Sequence, residues 1–268
     1  MVGSESRAIA GTRVLARWTD RTDGDQRSLC ETTNAIRELT GGRSVYRPNQ
    51  VHGSHVLVVD AARQKSWDEG LSTRGPTGGS IGSAGSTDST GAAGLPLVRP
   101  WMRNSDGSLP IGDAVLITGS DGAAAVLTAD CASIALASRE GIAAAVHAGW
   151  RGLVDGVIDQ AVEAIRSHGG SDVFAALGPC IHACCYEFSA DGLDSVVAAL
   201  SPSVRGVSST GNPAMNLPAG VAFAIERAGA IPVVGIDACT GCDSRWYSHR
   251  VRQDAERQAL MVWSEGGM

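Results

Sequence analysis

The apolar residues of this chain fall into short blocks that alternate between strand-like and helix-like spacing in an irregular order. RVLARW at Arg13–Trp18 predicts a first strand, Leu29–Leu39 carries a helical pattern stopped by Gly41 and Gly42, and Val51–Val59 predicts a second strand. After a long polar interval come Ala114–Thr118, Ala123–Leu127, Ser133–Ala137 and Ile142–Val146. These blocks are rich in Ala and Val and do not alternate with polar residues, which predicts strands buried on both faces. Gly152–Ser167 predicts a helix, with Leu153, Val157, Ala161 and Ile165 on one broad face beside Val154, Ile158 and Val162. A strand at Phe174–Leu177, a helix at Gly192–Leu200, a strand at Val204–Val207, a helix at Pro218–Ala228 and a strand at Pro232–Ile236 follow. A loop, a short helix and a final strand close the pattern.

Strands between 114 and 147 are separated by turns too short for a crossover, so they are expected to be antiparallel neighbours. The order predicts an α+β fold, a single-domain mixed-sheet α/β sandwich spanning 1–268 with largely antiparallel pairs. Residues 72–94 are almost all Gly, Ser, Thr, Ala and Pro, too small to repay the cost of ordering them, so a mobile insertion is expected at about 66–110. The apolar fraction of 43% in 268 residues is ample for a core. A net charge of −6 gives no basic field for a nucleic-acid backbone or an anionic membrane surface. No run approaches the ~18 apolar residues of a spanning helix, and the first residues lack a leader pattern, so a cytoplasmic protein is expected. Seven cysteines scattered through a chain of this size suggest reduced thiols with chemical or metal roles.

The chemistry concentrates around one predicted hairpin. If the chain reverses at Ser138–Gly141, residues whose numbers sum to about 278 or 279 face each other, placing Cys131 opposite or diagonal to His147. A thiol and an imidazole at that separation either share a metal ion or act as nucleophile and base. His52, expected early in the second strand, is the best third ligand, and a set of one Cys and two His suits zinc, or copper, better than magnesium or calcium. Asp130 is expected to orient a histidine or a substrate hydroxyl, and Arg151 at the start of a helix offers an anion site. Cys239 and Cys242 have the C-x-x-C spacing of a second, structural zinc site with Cys180, Cys184 and Cys185. The spacing fits equally with Cys180 and Cys239 as packing residues and Cys242 as incidental, and that reading is preferred because no second C-x-x-C accompanies the first.

Five blocks add a family resemblance. QVHG at Gln50–Gly53, TADC at Thr128–Cys131, HAGWRG at His147–Gly152, GPCI with CYE within Gly178–Glu187, and the late CT and SHR of Cys239, Thr240 and Ser248–Arg250 resemble the signature of the laccase-domain family. That family has been described both as multicopper polyphenol oxidases and as purine nucleoside phosphorylases with adenosine deaminase and methylthioadenosine phosphorylase activity. The resemblance implies a zinc ion held by His52, Cys131 and His147, and a fold distantly similar to the Cys/His toxin deamidases. It also implies purine nucleosides and phosphate as substrates, with Gln50, Asp130, Arg151 and Arg250 near them. A Cys/His hydrolase or amidase acting on a cell-wall peptidoglycan precursor, and a copper-dependent polyphenol oxidase, are the alternatives. RWTDRTDGDQ after Ala16, Met215–Leu217 and Ala255–Arg257 depart from the family's blocks, and substrate choice is where that difference would tell.

Overall fold

The computed structural model describes residues 6–27, 38–60 and 108–266. Strands β1 (Arg7–Ala8), β2 (Val14–Trp18), β3 (Ser44–Tyr46), β4 (Val56–Asp60), β5 (Ala114–Thr118), β6 (Gly122–Thr128), β7 (Ala132–Ser138) and β8 (Ala143–Ala148) precede helices α1 (Trp150–Val154) and α2 (Val157–Ser167). Then come β9 (Val173–Leu177), α3 (Ala190–Ala199), β10 (Arg205–Val207), β11 (Pro213–Met215), α4 (Leu217–Arg227), β12 (Ile231–Val233), α5 (His249–Arg252) and β13 (Gln258–Ser264). The predicted helix at 29–39 lies almost wholly outside the described residues, as does the Gly/Ser segment.

Two sheets stack. One has the order β1-β2-β13-β6-β3 and the other β12-β9-β7-β8-β5-β4, with β10 and β11 forming a separate ribbon. Most pairs are antiparallel, while β3–β6, β4–β5 and β9–β12 are parallel, so this is the mixed α+β architecture expected. β5 and β6 are not the antiparallel neighbours that their short connection suggested. They belong to opposite sheets, the link through Gly119–Asp121 carrying the chain from one layer to the other, and β6 and β7 are likewise in opposite sheets, so of the strands expected to pair with the next in the chain only β7 and β8 do.

The six-stranded sheet is covered on both faces, which explains its Ala- and Val-rich strands. Leu116, Ile134, Leu136, Ala144 and Val146 point into a core with Leu153, Ile158, Val162, Ile165, Val221 and Ile225 of the helices. The intervening residues Val115, Ile117, Ala135, Ala137, Ala143 and Ala145 meet Val14, Ala16, Val126, Leu260 and Val262 of the other sheet. Each large aliphatic side chain buried there contributes ~1.5–3 kcal/mol. A one-residue slip would exchange the two sets of partners, so the register of the central strands is strongly specified.

The predicted helix at 152–167 is two helices. Asp155 and Gly156 interrupt it, with Gly156 at φ +79°, because the apolar face of α2 must turn onto the sheet after α1 has left β8. Among the described residues, no helix is long and apolar enough to cross a membrane.

Candidate metal centre

The hairpin β7–β8 pairs Ala132 with Ala148 and Ser133 with His147, a register sum of 280. Cys131 therefore lies just before β7, across from Gly149 and diagonal to His147 rather than opposite it. Gly149 is what lets the groups converge, since a Cβ there would stand 3.0 Å from His52 Cδ2 and 3.1 Å from the Cys131 sulfur. His52 is not on a strand, because β4 begins only at Val56; it sits in a turn at φ +62°. One ligand atom each from His52, Cys131 and His147 lies within 4.8 Å of the others. The two imidazoles meet edge to face at 4.9 Å between centroids. His147 is buried, Cys131 half-buried and His52 exposed, so the cluster opens to solvent on the His52 side.

Asp113 holds this arrangement together. Its carboxylate is fully buried and accepts from the backbone N–H groups of His52 (2.9 Å), Gly53 (2.7 Å) and Val51 (3.3 Å), with Oδ1 also 2.9 Å from His147 Nδ1. One side chain thus fixes the unusual backbone of the His52 turn and the ring of His147, leaving His147 Nε2 to face Cys131 and His52. Burial pushes this carboxyl up, yet the His147 hydrogen bond and the amides outweigh it and hold the pKa below its ordinary value. The sequence reading missed Asp113. The carboxylate that orients the imidazole is this one and not Asp130.

Asp130, at φ +100°, faces away into a different knot. It accepts from Thr240 Oγ1 and Ser248 Oγ (both 2.7 Å) and the Arg250 backbone N–H (2.6 Å), tying the loop after Cys239 to the residue before the thiol. Gln50 spends both ends of its amide on the Leu127 backbone, at 2.8 Å each, and so fastens the His52 turn to β6. Arg151 is exposed and stacks over Trp150 at 4.5 Å, and Arg250 stacks over Tyr186 at 5.1 Å. Tyr186 and Trp150 both pack edge-on against Phe188, at 5.0 and 5.9 Å. α1 has only five residues, too short to supply the long helix dipole on which the anticipated anion site drew. Burial, followed by the charge of Cys131, raises the pKa of the Tyr186 phenol, with Arg250 and Arg151 opposing. CYE in the sequence was the available signal for Tyr186.

Without a metal, the thiol and imidazole are an ion pair. Burial raises the Cys131 pKa, but the charge and hydrogen bonds of His147 and His52 overcome it and bring the thiol down to about 6. Burial likewise lowers that of His147, while Cys131 and Asp113 raise it to about 9. Thiolate therefore predominates above pH 6. Alkylation of Cys131 in metal-stripped protein, followed by peptide mass spectrometry, is expected to show a midpoint near 6. His147→Ala removes the largest lowering influence and leaves the burial, with His52 alone still opposing it, so the midpoint should rise; an unchanged midpoint would contradict the pairing.

A second thiol cluster was not anticipated in the preferred reading. Cys184, Cys185, Cys239 and Cys242 bring their sulfurs within 4.8 Å of one another, and Cys180 is set apart in the core.

Residues 19–265 match the family described as multi-copper polyphenol oxidoreductase laccase. The chain is 34% identical over 230 residues to a purine nucleoside phosphorylase of Mycobacterium tuberculosis, covering 85% of this chain and 74% of the relative. It is 32% identical over 218 residues to one of Streptomyces coelicolor, covering 80% and 73%. In fold it resembles a Neisseria meningitidis protein (TM-score 0.68, 24% identity, 97% and 98% covered) and YlmD from Geobacillus stearothermophilus (0.67, 22%, 96% and 93%).

Proposed function

The chain belongs to the multi-copper polyphenol oxidoreductase laccase family, and from that premise we propose that it is a zinc-dependent purine nucleoside phosphorylase with adenosine deaminase and methylthioadenosine phosphorylase activity. The observation that carries this reading is the convergence of His52, Cys131 and His147 on one point that is open to solvent on one side. Three protein ligands with a free position is the arrangement of a catalytic zinc site, and a His₂Cys set suits zinc. The donors fit: Cys131 is readily a thiolate, and Asp113 accepts a hydrogen bond from the His147 Nδ1–H so that Nε2 is free to ligate. The curated relatives are named for phosphorolysis, which supports purine nucleosides and inorganic phosphate as substrates.

Zinc, when bound, lowers the pKa of water into the neutral range, the chemistry that loss of the C6 amine requires. In phosphorolysis, the C1′–N9 bond of the nucleoside breaks and a C1′–O bond to phosphate forms. Arg151 and Arg250 supply the positive charge for that phosphate, and Trp150, Tyr186 and Phe188 offer apolar faces beside it for a flat base. Asp130 positions Arg250 through its backbone N–H. The match over residues 19–265 supports a single domain.

Purified protein supplied with inosine, adenosine or methylthioadenosine is expected to release the free base only when phosphate is present, and chelation should remove the activity. Release without phosphate, or none at all, would overturn the phosphorylase reading. A second reading has its own support, the Cys131–His147 ion pair, which resembles an activated nucleophile and base for amide hydrolysis. Amidase activity on a peptidoglycan precursor that survives chelation would favour it.

A further inference from the structure

We propose that Cys184, Cys185, Cys239 and Cys242 form a second metal site, a closed tetrathiolate that binds one zinc ion for a structural purpose. Four of the six sulfur–sulfur distances are given by the contacts Cys184–Cys185 (3.8 Å), Cys184–Cys239 (3.6 Å), Cys184–Cys242 (3.4 Å) and Cys185–Cys242 (3.4 Å). The other two pairs lie within 4.8 Å. Sulfurs at ~2.3 Å from a zinc ion at the centre of a tetrahedron stand ~3.8 Å apart, so the cluster already has close to the required size. A disulfide needs ~2.05 Å, and the described cysteines are all free thiols.

The backbone folds tightly around these sulfurs. Cys239 receives the His182 N–H at 3.3 Å. Cys239 to Cys242 is a tight turn, with the Cys242 and Asp243 N–H groups both donating to the Cys239 carbonyl at 3.1 and 2.9 Å. Gly241 is required within it, because a Cβ there would come within 2.8 Å of the Cys185 Cβ and sulfur. A zinc tetrathiolate carries two negative charges. The guanidinium of Arg252 donates to the carbonyls of Gly241 (3.0 Å) and Thr240 (2.8 Å), placing a cation on the turn that carries two of the ligands.

Four thiolates leave no open position, which is the character of a structural zinc. The ion would join the 180–187 segment, which carries Tyr186, to the 239–250 segment, which carries Thr240, Ser248 and Arg250. Both segments grip Asp130, whose carbonyl accepts the Ile181 N–H at 2.8 Å. The second site thus stands behind the first and holds its aromatic and cationic wall.

The test is zinc content per chain, measured by elemental analysis of the full chain loaded with zinc and desalted. Wild type is expected to hold two equivalents, and Cys242→Ser and His147→Ala one each. The second measurement needs no folded cysteine variant. In His147→Ala, thiol alkylation mapped by mass spectrometry should show Cys184, Cys185, Cys239 and Cys242 protected by zinc and exposed after chelation. No zinc in His147→Ala, with the four thiols alkylated at the same rate either way, would overturn the proposal. So would peptide mapping that finds these cysteines joined as disulfides. Wild type with a single equivalent lost in Cys242→Ser but kept in His147→Ala would support this site and sink the proposed catalytic one.

Discussion

Cys131→Ala is expected to abolish phosphorolysis and to remove one equivalent of zinc from the same preparation. The thiol is one of three ligand atoms converging within 4.8 Å, and alanine puts nothing in its place. Loss of a ligand from a three-ligand site should cost about 10³-fold or more in kcat/KM, roughly 4 kcal/mol of transition-state stabilisation. His147→Ala should do the same, because it removes a second ligand and strands the Asp113 carboxylate. Activity alone does not separate a metal ligand from a nucleophile, and the zinc content does. If Cys131→Ala is inactive yet keeps the zinc that His147→Ala loses, the thiol is the nucleophile of the second reading.

Asp113→Asn should produce the next largest effect, and on two measurements at once. The aspartate carboxylate is fully buried, accepts three backbone N–H groups and faces His147 Nδ1. Asparagine keeps the shape but turns one acceptor into a donor, so either the His52 turn or His147 loses its partner. A buried donor left unsatisfied costs about 2–3 kcal/mol, expected as a fall of about 4–12 °C in Tm. Loss of a group that orients a metal-ligating histidine typically costs about 10–100-fold in affinity or activity. A variant with normal Tm and normal zinc affinity would show that Asp113 does not hold the centre together.

Much of the candidate site was legible because its residues lie near elements with clear patterns. Cys131 and His147 flank two apolar blocks joined by a tight turn, so their proximity followed from strand pairing. The error of one to two residues in the register had a simple cause: the turn uses Gly141 at φ +90° and closes from Ser138 onto Ile142, one position beyond Gly141. His52 was found by its chemistry and misplaced in its backbone, since an isolated His-Gly pair gives no sign that three amides there will fold around a distant carboxylate. Asp113 was invisible for the same reason, as its four partners lie 34 to 62 residues away.

The fold was legible where blocks were long. β5 to β9 and α2 to α4 fall where the apolar spacing put them, whereas β1, β3 and β11 span two or three residues and leave no period to read. The crossing of β5 and β6 between layers failed for a physical reason: a short link constrains where two strands end but not whether they pair or stack. The thiol cluster failed through distance as well. Cys184 and Cys242 are 58 positions apart, and a C-x-x-C meets a vicinal Cys pair only when the fold brings two loops together.

The position of β13 has a consequence for how the molecule is made. It lies between β2 and β6, so the five-stranded sheet is joined through the last strand of the pattern, whereas every strand of the six-stranded sheet lies between residues 56 and 233. As the chain leaves the ribosome, the six-stranded layer and its helices have all their partners before the other layer has its central one. Through that interval, the face of the first layer that ends up against Val262 and Leu260 is bare to solvent. Emergence of that strand, rather than the assembly of the ligand-bearing hairpin, therefore ends the period in which the nascent chain is most exposed to misassociation.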